Sequence, residues 1–156
     1  AAAMTSRIAI AALSLSAAAF GALVLHEGYS ETAYTPVAGD VATIGFGTTE
    51  GVKPGDRITP PQAVIRALQD VSKYEGAMKR CVKVPLHQRE YDAFASLAYN
   101  IGPTAFCGST LVKKVNALDY TGACQEILRW DRFKGQPLRG LTNRRQAEYK
   151  QCMGES

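Results

Sequence analysis

Between Arg7 and His26 the chain carries no charge, and from Ile8 to Leu25 it reads IAIAALSLSAAAFGALVL. No other feature limits the fold as much, because such a run has to be buried, in lipid or against protein. As a helix it spans about 27 Å at 1.5 Å per residue, just short of a ~30 Å hydrocarbon core. More than half of it is Ala, Ser and Gly. Its strongest residues, from Ile8 and Ile10 to Leu23, Val24 and Leu25, supply roughly −2.5 to −5 kcal/mol of insertion energy at about −0.3 to −0.6 each. A segment this weak can enter a bilayer without staying there. Arg7 precedes it and Glu27 and Glu31 follow it, so the positive-inside tendency puts its N-terminal end in the cytoplasm. Composition leaves three readings open: a leader cleaved near Ala17-Ala18-Ala19, a permanent anchor, or a reversible anchor that leaves the bilayer and packs as a soluble helix.

The chain has 156 residues and a net charge of +4, enough length for one domain with a sizeable core. Most of the positive charge falls in the second half, which suits an anionic partner such as a cell envelope. No nucleic-acid motif accompanies it, so nucleic acid is not expected as a partner. Cysteines lie at 81, 107, 124 and 152, without metal-site spacing, and no metal or cofactor is expected. An even count at wide spacing after an exported-looking segment favours two disulfides. Loop lengths suggest Cys107–Cys124 and Cys81–Cys152.

Along the chain, Tyr34 to Thr48 is rich in Gly, Val, Thr and aromatic residues and reads as short strands with tight turns. A long helix begins at TPPQ, with Thr59 as N-cap, Pro60 at the first position and Gln62 closing the capping box. Ala63, Val64, Ala67, Leu68, Val71, Tyr74 and Met78 form its apolar face. Shorter helices follow: one ended by Asn100–Pro103, one capped by Ser109, one carrying Trp130, and a last one from about Thr142 to Cys152. The class is α+β, a small β-containing lobe and a larger helical lobe joined by the long helix.

Candidate chemistry sits directly after the apolar run. A carboxylate at the C-terminal end of an apolar helix, Glu27, meets the negative end of the helix dipole, which suits a proton donor. Asp40 lies in a Gly-flanked turn that should be polar and accessible, and Thr43 is placed to bind a water. Two carboxylates in contrasting surroundings make the acid/base division used by glycosidases. The plainer alternative is a solvated Glu and a turn-forming Asp.

The pattern E-G-x4-A-Y, then G-D-x-x-T-I-G-F-G, occupies Glu27-Gly28, Ala33-Tyr34 and Gly39 to Gly47. It resembles the active-site segment of phage-type lysozymes, glycoside hydrolase family 24. VPLHQREYDAFASLAYNIG, STLVKKVNALDYTGAC, Arg129-Trp130 and GLTNRR resemble the same family's helical lobe. The resemblance implies a lysozyme-like fold with Glu27 as the acid, Thr43 as the family's Thr, and Tyr34 and Arg144 as substrate-binding residues. Arg144 matches a basic residue that in the family pairs with the Glu across the cleft; the alternative is a solvated charge at a helix start. Family spacing would put the Asp at Pro36-Val37. This hairpin is one residue longer, and Asp40 takes the role by elimination. Thr48 stands where family members often carry His.

An uncleaved apolar segment running into the Glu resembles the signal-anchor-release endolysins. That implies an anchor over residues 1–26 and a muramidase domain over 27–156: a β lobe about 27–58, a linking helix about 59–81 and a helical lobe about 82–156. The implied activity is hydrolysis of the β-1,4 N-acetylmuramic acid–N-acetylglucosamine bond of peptidoglycan for host lysis. The implied site of action is the host periplasm, with export by the host secretion machinery and a tether to the inner membrane through residues 8–25. A monomer is expected. Rival readings are a lytic transglycosylase and a non-catalytic, membrane-anchored wall-binding module.

Overall fold

The structure is a computed structural model and describes residues 6–36, 40–133 and 135–155. Val37 and Gly39, both used in the motif comparison, lie outside the described residues. The chain divides into a hairpin unit, Phe20–Lys73, and a helical unit drawn from the described residues up to Ala19 and from Tyr74 onward.

The apolar run is not one helix. A 3-10 turn covers Ile10–Ala12, and α1 covers Ala17–Glu27. The stretch between them is pulled out of helical hydrogen bonding by side chains elsewhere in the helical unit: Leu15 N–H donates to Glu75 at 2.7 Å and Ser16 N–H to Asp92 at 3.0 Å. Among the described residues no helix is long and apolar enough to cross a membrane.

In the hairpin unit, β1 (Ser30–Tyr34) pairs antiparallel with β2 (Thr43–Gly45), Ser30 opposite Gly45 and Tyr34 opposite Thr43. The other edge of β1 is extended by Ala33 N–H donating to Asp56 O at 2.9 Å and Ile58 N–H to Glu31 O at 2.8 Å. Ile44, Ile58 and Ala63 form the small core beneath, with Ala33, Phe46 and Val52 packed against it.

The long helix α2 spans Pro60–Cys81 and begins at the expected capping box: Thr59 N–H donates to Gln62 at 3.0 Å and Gln62 N–H to Thr59 Oγ1 at 3.4 Å. Its apolar face is narrower than the sequence suggested. Ala63, Ala67, Val71 and Met78 are buried, whereas Val64, Ile65 and Leu68 are exposed.

The rest of the helical unit is built from α3 (Gln88–Ile101), α4 (Pro103–Cys107), α5 (Thr110–Asn116), α6 (Tyr120–Glu126), the short pair β3 (Arg132–Phe133) and β4 (Gln136–Pro137), and α7 (Arg139–Met153). Ser109 caps α5 as expected, accepting from Val112 N–H at 3.3 Å. Leu13, Met78, Leu86, Phe94, Phe106, Leu111 and Ile127 belong to its continuous core. Burying side chains of this size stabilises by about 1.5–3 kcal/mol each.

The disulfides are Cys81–Cys107 and Cys124–Cys152, with Cα separations of 5.6 and 5.7 Å. This corrects the pairing drawn from loop length, Cys107–Cys124 and Cys81–Cys152. Helix packing decides instead: Cys81 ends α2 and Cys107 ends α4, while Cys124 on α6 faces Cys152 on α7.

Candidate active site

α1 ends at Glu27 because Gly28 turns the chain at φ +70°, its N–H donating back to Val24 O at 3.0 Å. A left-handed residue after the last helical turn is the usual stop, and glycine reaches it without strain. The half-buried Glu27 side chain then lies over the turn that follows β2. That turn is closed on both sides, Ile44 N–H to Thr48 O at 2.9 Å and Thr48 N–H to Ile44 O at 3.0 Å. Within it Gly47 has φ +85°, and a Cβ built there would stand 2.7 Å from Glu27 Oε2. A side chain at position 47 would therefore be strained by the backbone and would have to push the Glu27 carboxyl aside.

Asp40 is exposed on the strand connection, and its Oδ1 accepts Val41 N–H at 2.8 Å. Thr43 is buried, starts β2, and donates its hydroxyl to Val41 O at 3.3 Å. A hydroxyl that donates keeps acceptor capacity, so Thr43 can also receive a hydrogen bond from water. Tyr34 sits opposite Thr43 in the ladder and is 44% exposed. The structure thus brings Glu27, Tyr34, Asp40 and Thr43 into one unit.

Arg144 belongs to the helical unit. It is not a solvated charge: it is buried on α7, with Nε 3.5 Å from Glu148 Oε2 and Nη2 donating to Ser96 O at 3.3 Å. Glu148 also takes Arg145 Nη1 at 2.5 Å and the Ser96 hydroxyl at 2.5 Å, and Arg145 reaches Asn100 Oδ1 and the Trp130 carbonyl. Buried charges persist only when paired and hydrogen-bonded in this way.

Sequence reasoning missed the support beneath the turn. The buried Thr48 hydroxyl donates to Asp70 Oδ2 on α2 at 2.8 Å. Burial pushes the Asp70 carboxyl above its ordinary pKa, and the Thr48 hydrogen bond and the charges of Arg66 and Lys73 pull the other way. The available clue was an acid placed among the inward positions of α2. A separate cavity of about 320 Å³, lined by Ile44, Asp56, Ile58, Gln62 and Arg66 among others, involves none of the candidate catalytic residues.

Residues 24–148 match the family model described as phage lysozyme. The chain belongs to the phage lysozyme family. Every candidate site residue, from Glu27 to Arg144, falls within the matched span. As a phage lysozyme it is a lysozyme-type glycosidase. It is 43% identical over 127 residues to an endolysin of Acyrthosiphon pisum secondary endosymbiont phage 1, covering 79% of this chain and 86% of the relative. It is 41% identical over 144 residues to the SAR-endolysin of Pseudomonas phage phiKMV, covering 90% and 89%. Among solved structures, the endolysin from Escherichia coli O157:H7 phage FAHEc1 superimposes with a TM-score of 0.78 at 35% identity, covering 91% of this chain and 94% of that one.

Proposed function

We propose that this phage lysozyme is an endolysin that hydrolyses the β-1,4 N-acetylmuramic acid–N-acetylglucosamine bond of peptidoglycan, with Glu27 as proton donor. The observation that carries this reading is the Glu27 carboxyl lying over Gly47, so close that a Cβ there would stand 2.7 Å from its Oε2. Glu27 protonates the glycosidic oxygen as the bond from the sugar carbon breaks. Asp40, accessible and oriented through the Val41 amide, takes a proton from a water that Thr43 helps to hold. The water oxygen joins the sugar carbon from the opposite face, which inverts it. Tyr34, 44% exposed, is assigned to substrate contact.

The finer part of the proposal concerns residues 8–25. They tether the exported chain to the inner membrane with its body in the periplasm, and the enzyme becomes active when they leave the bilayer. Support comes from the SAR-endolysin relative and from the weak apolar character of the run. Leu13, buried in the core of the helical unit with Ile10 and Leu15 packed against it, fits a released segment.

Digestion of purified peptidoglycan tests the chemistry. Glu27→Gln should lose at least about 1000-fold in rate and Asp40→Asn about 100-fold, as expected for removing an acid and a base. Products should carry reducing muramic acid ends with inverted configuration. Parent-like rates in both variants would remove the catalytic assignment, and anhydro ends would replace hydrolysis by transglycosylation.

A further inference from the structure

The cavity of about 320 Å³ in the hairpin unit takes no part in the proposed chemistry. It lies between the first turns of α2 and the loop that precedes them, and its size is that of a small ligand pocket. Ile44 and Ile58, both buried, give it an apolar floor. Ile44 follows Thr43 in β2, and successive strand residues point to opposite faces, so the cavity and Thr43 lie on opposite faces of the hairpin. The rim carries charge of both signs: the guanidinium groups of Arg57 and Arg66 and the carboxylate of Asp56, with the amides of Gln62 and Gln69 between them in composition.

These rim groups have bonding capacity to spare. Arg66 Nη2 donates to the Glu50 carbonyl at 2.6 Å, one bond from a group that carries five N–H donors. Arg57 meets Glu31 only at 3.7 Å, with both side chains well exposed, a pairing that holds little. Asp56 Oδ2 accepts Lys53 N–H at 2.8 Å, and a carboxylate accepts more than one such bond. Gln62 commits its carbonyl oxygen to Thr59 N–H and keeps both amide protons. None of the described lining residues is aromatic, so a base or a sugar ring has no π face to lie on there.

We propose that this cavity is a second wall-binding site, which holds the stem peptide of a peptidoglycan strand other than the one being cut. The choice of ligand rests on the wall hydrolysis proposed above. A stem peptide alternates alanine methyls with carboxylates, and a diaminopimelate residue in it ends in an ammonium and a carboxylate on one carbon. That pattern matches the lining. Methyls and methylenes lie on Ile44 and Ile58, the arginines take the carboxylate, and Asp56 takes the ammonium. A simple anion leaves Asp56 unanswered and a simple cation leaves the two arginines unanswered, whereas a zwitterion answers both. Because the cavity faces away from Thr43, a peptide held there keeps the enzyme on the wall without entering the site of cleavage.

NMR titration of the full chain with N-acetyl-L-Ala–γ-D-Glu–meso-diaminopimelate, a sugar-free peptide, tests the site. Amide shifts should appear at Val52, Ile58 and Gln69 and not at Thr43 or Gly47, with a dissociation constant of about 1 mM or below. The same peptide ending in L-Lys, which lacks the carboxylate beside the ammonium, should bind at least about fivefold more weakly. Arg66→Gln should weaken the diaminopimelate peptide at least about tenfold and abolish its advantage over the lysine peptide. Asp56→Asn keeps an acceptor for Lys53 N–H, so the loop stays closed, and should weaken both peptides. A parent constant above about 10 mM, shifts centred on Thr43 and Gly47, equal affinity for the two peptides, or parent-like binding in both variants overturns the site. Wall hydrolysis by a parent that ignores the peptide overturns this inference alone. Peptide binding by a parent that never cuts the wall overturns the proposed function instead.

Discussion

The helical unit buries Phe94, Phe106, Leu111 and Ile127 in one core, carries both disulfides and locks α3 to α7 with a buried charge network. The hairpin unit has Ile44, Ile58 and Ala63 at its centre and shapes its chain with left-handed glycines. The proposed proton donor and base belong to the second. Chemistry therefore rests where backbone geometry, not core mass, sets the shape, and stability is concentrated elsewhere.

The largest test of this contrast lies in the helical unit. Arg145→Met leaves Glu148 without its closest cationic partner and should cost about 3–5 kcal/mol in denaturant unfolding. A loss below about 1 kcal/mol would show that the network is not what holds α7. Next, Gly47→Ala should cost only about 1–2 kcal/mol, from the left-handed backbone. Wall hydrolysis should nonetheless fall at least about 30-fold, because the new methyl displaces the Glu27 carboxyl. Equal losses of stability and activity would dissolve the distinction between the two units. The smallest effect concerns Asp70. Its carboxyl is raised by burial, so between the ordinary carboxylate pKa and the raised one the folded chain binds the extra proton. Parent stability should accordingly rise as pH falls through that window, and Asp70→Asn should remove the rise while changing neutral-pH stability by under about 1 kcal/mol. Melting temperature against pH reads this directly.

Local signals were legible where one residue type had one local use. Thr59 and Pro60 opened α2, and Ser109 opened α5, as expected. The last helix starts earlier than Thr142, at Arg139, because no capping side chain marks its beginning. That a helix ends at Glu27 was legible from its position after the apolar run. What stayed hidden depended on distant partners. The break at Leu13–Ser16 is dictated by Glu75 and Asp92, far away in sequence. The Thr48–Asp70 bond joins a turn to a helix, and Arg144 is buried by Glu148 and Ser96. Cysteine spacing alone could not separate the possible pairings, since helix packing rather than loop length brings the sulfurs together.

The disulfides join each cysteine to its immediate successor, 81 to 107 and 124 to 152. On a chain that emerges N-terminus first, Cys107 meets one available thiol, the correct one, until Cys124 appears. Oxidation in order of arrival therefore yields the native connectivity with no reshuffling.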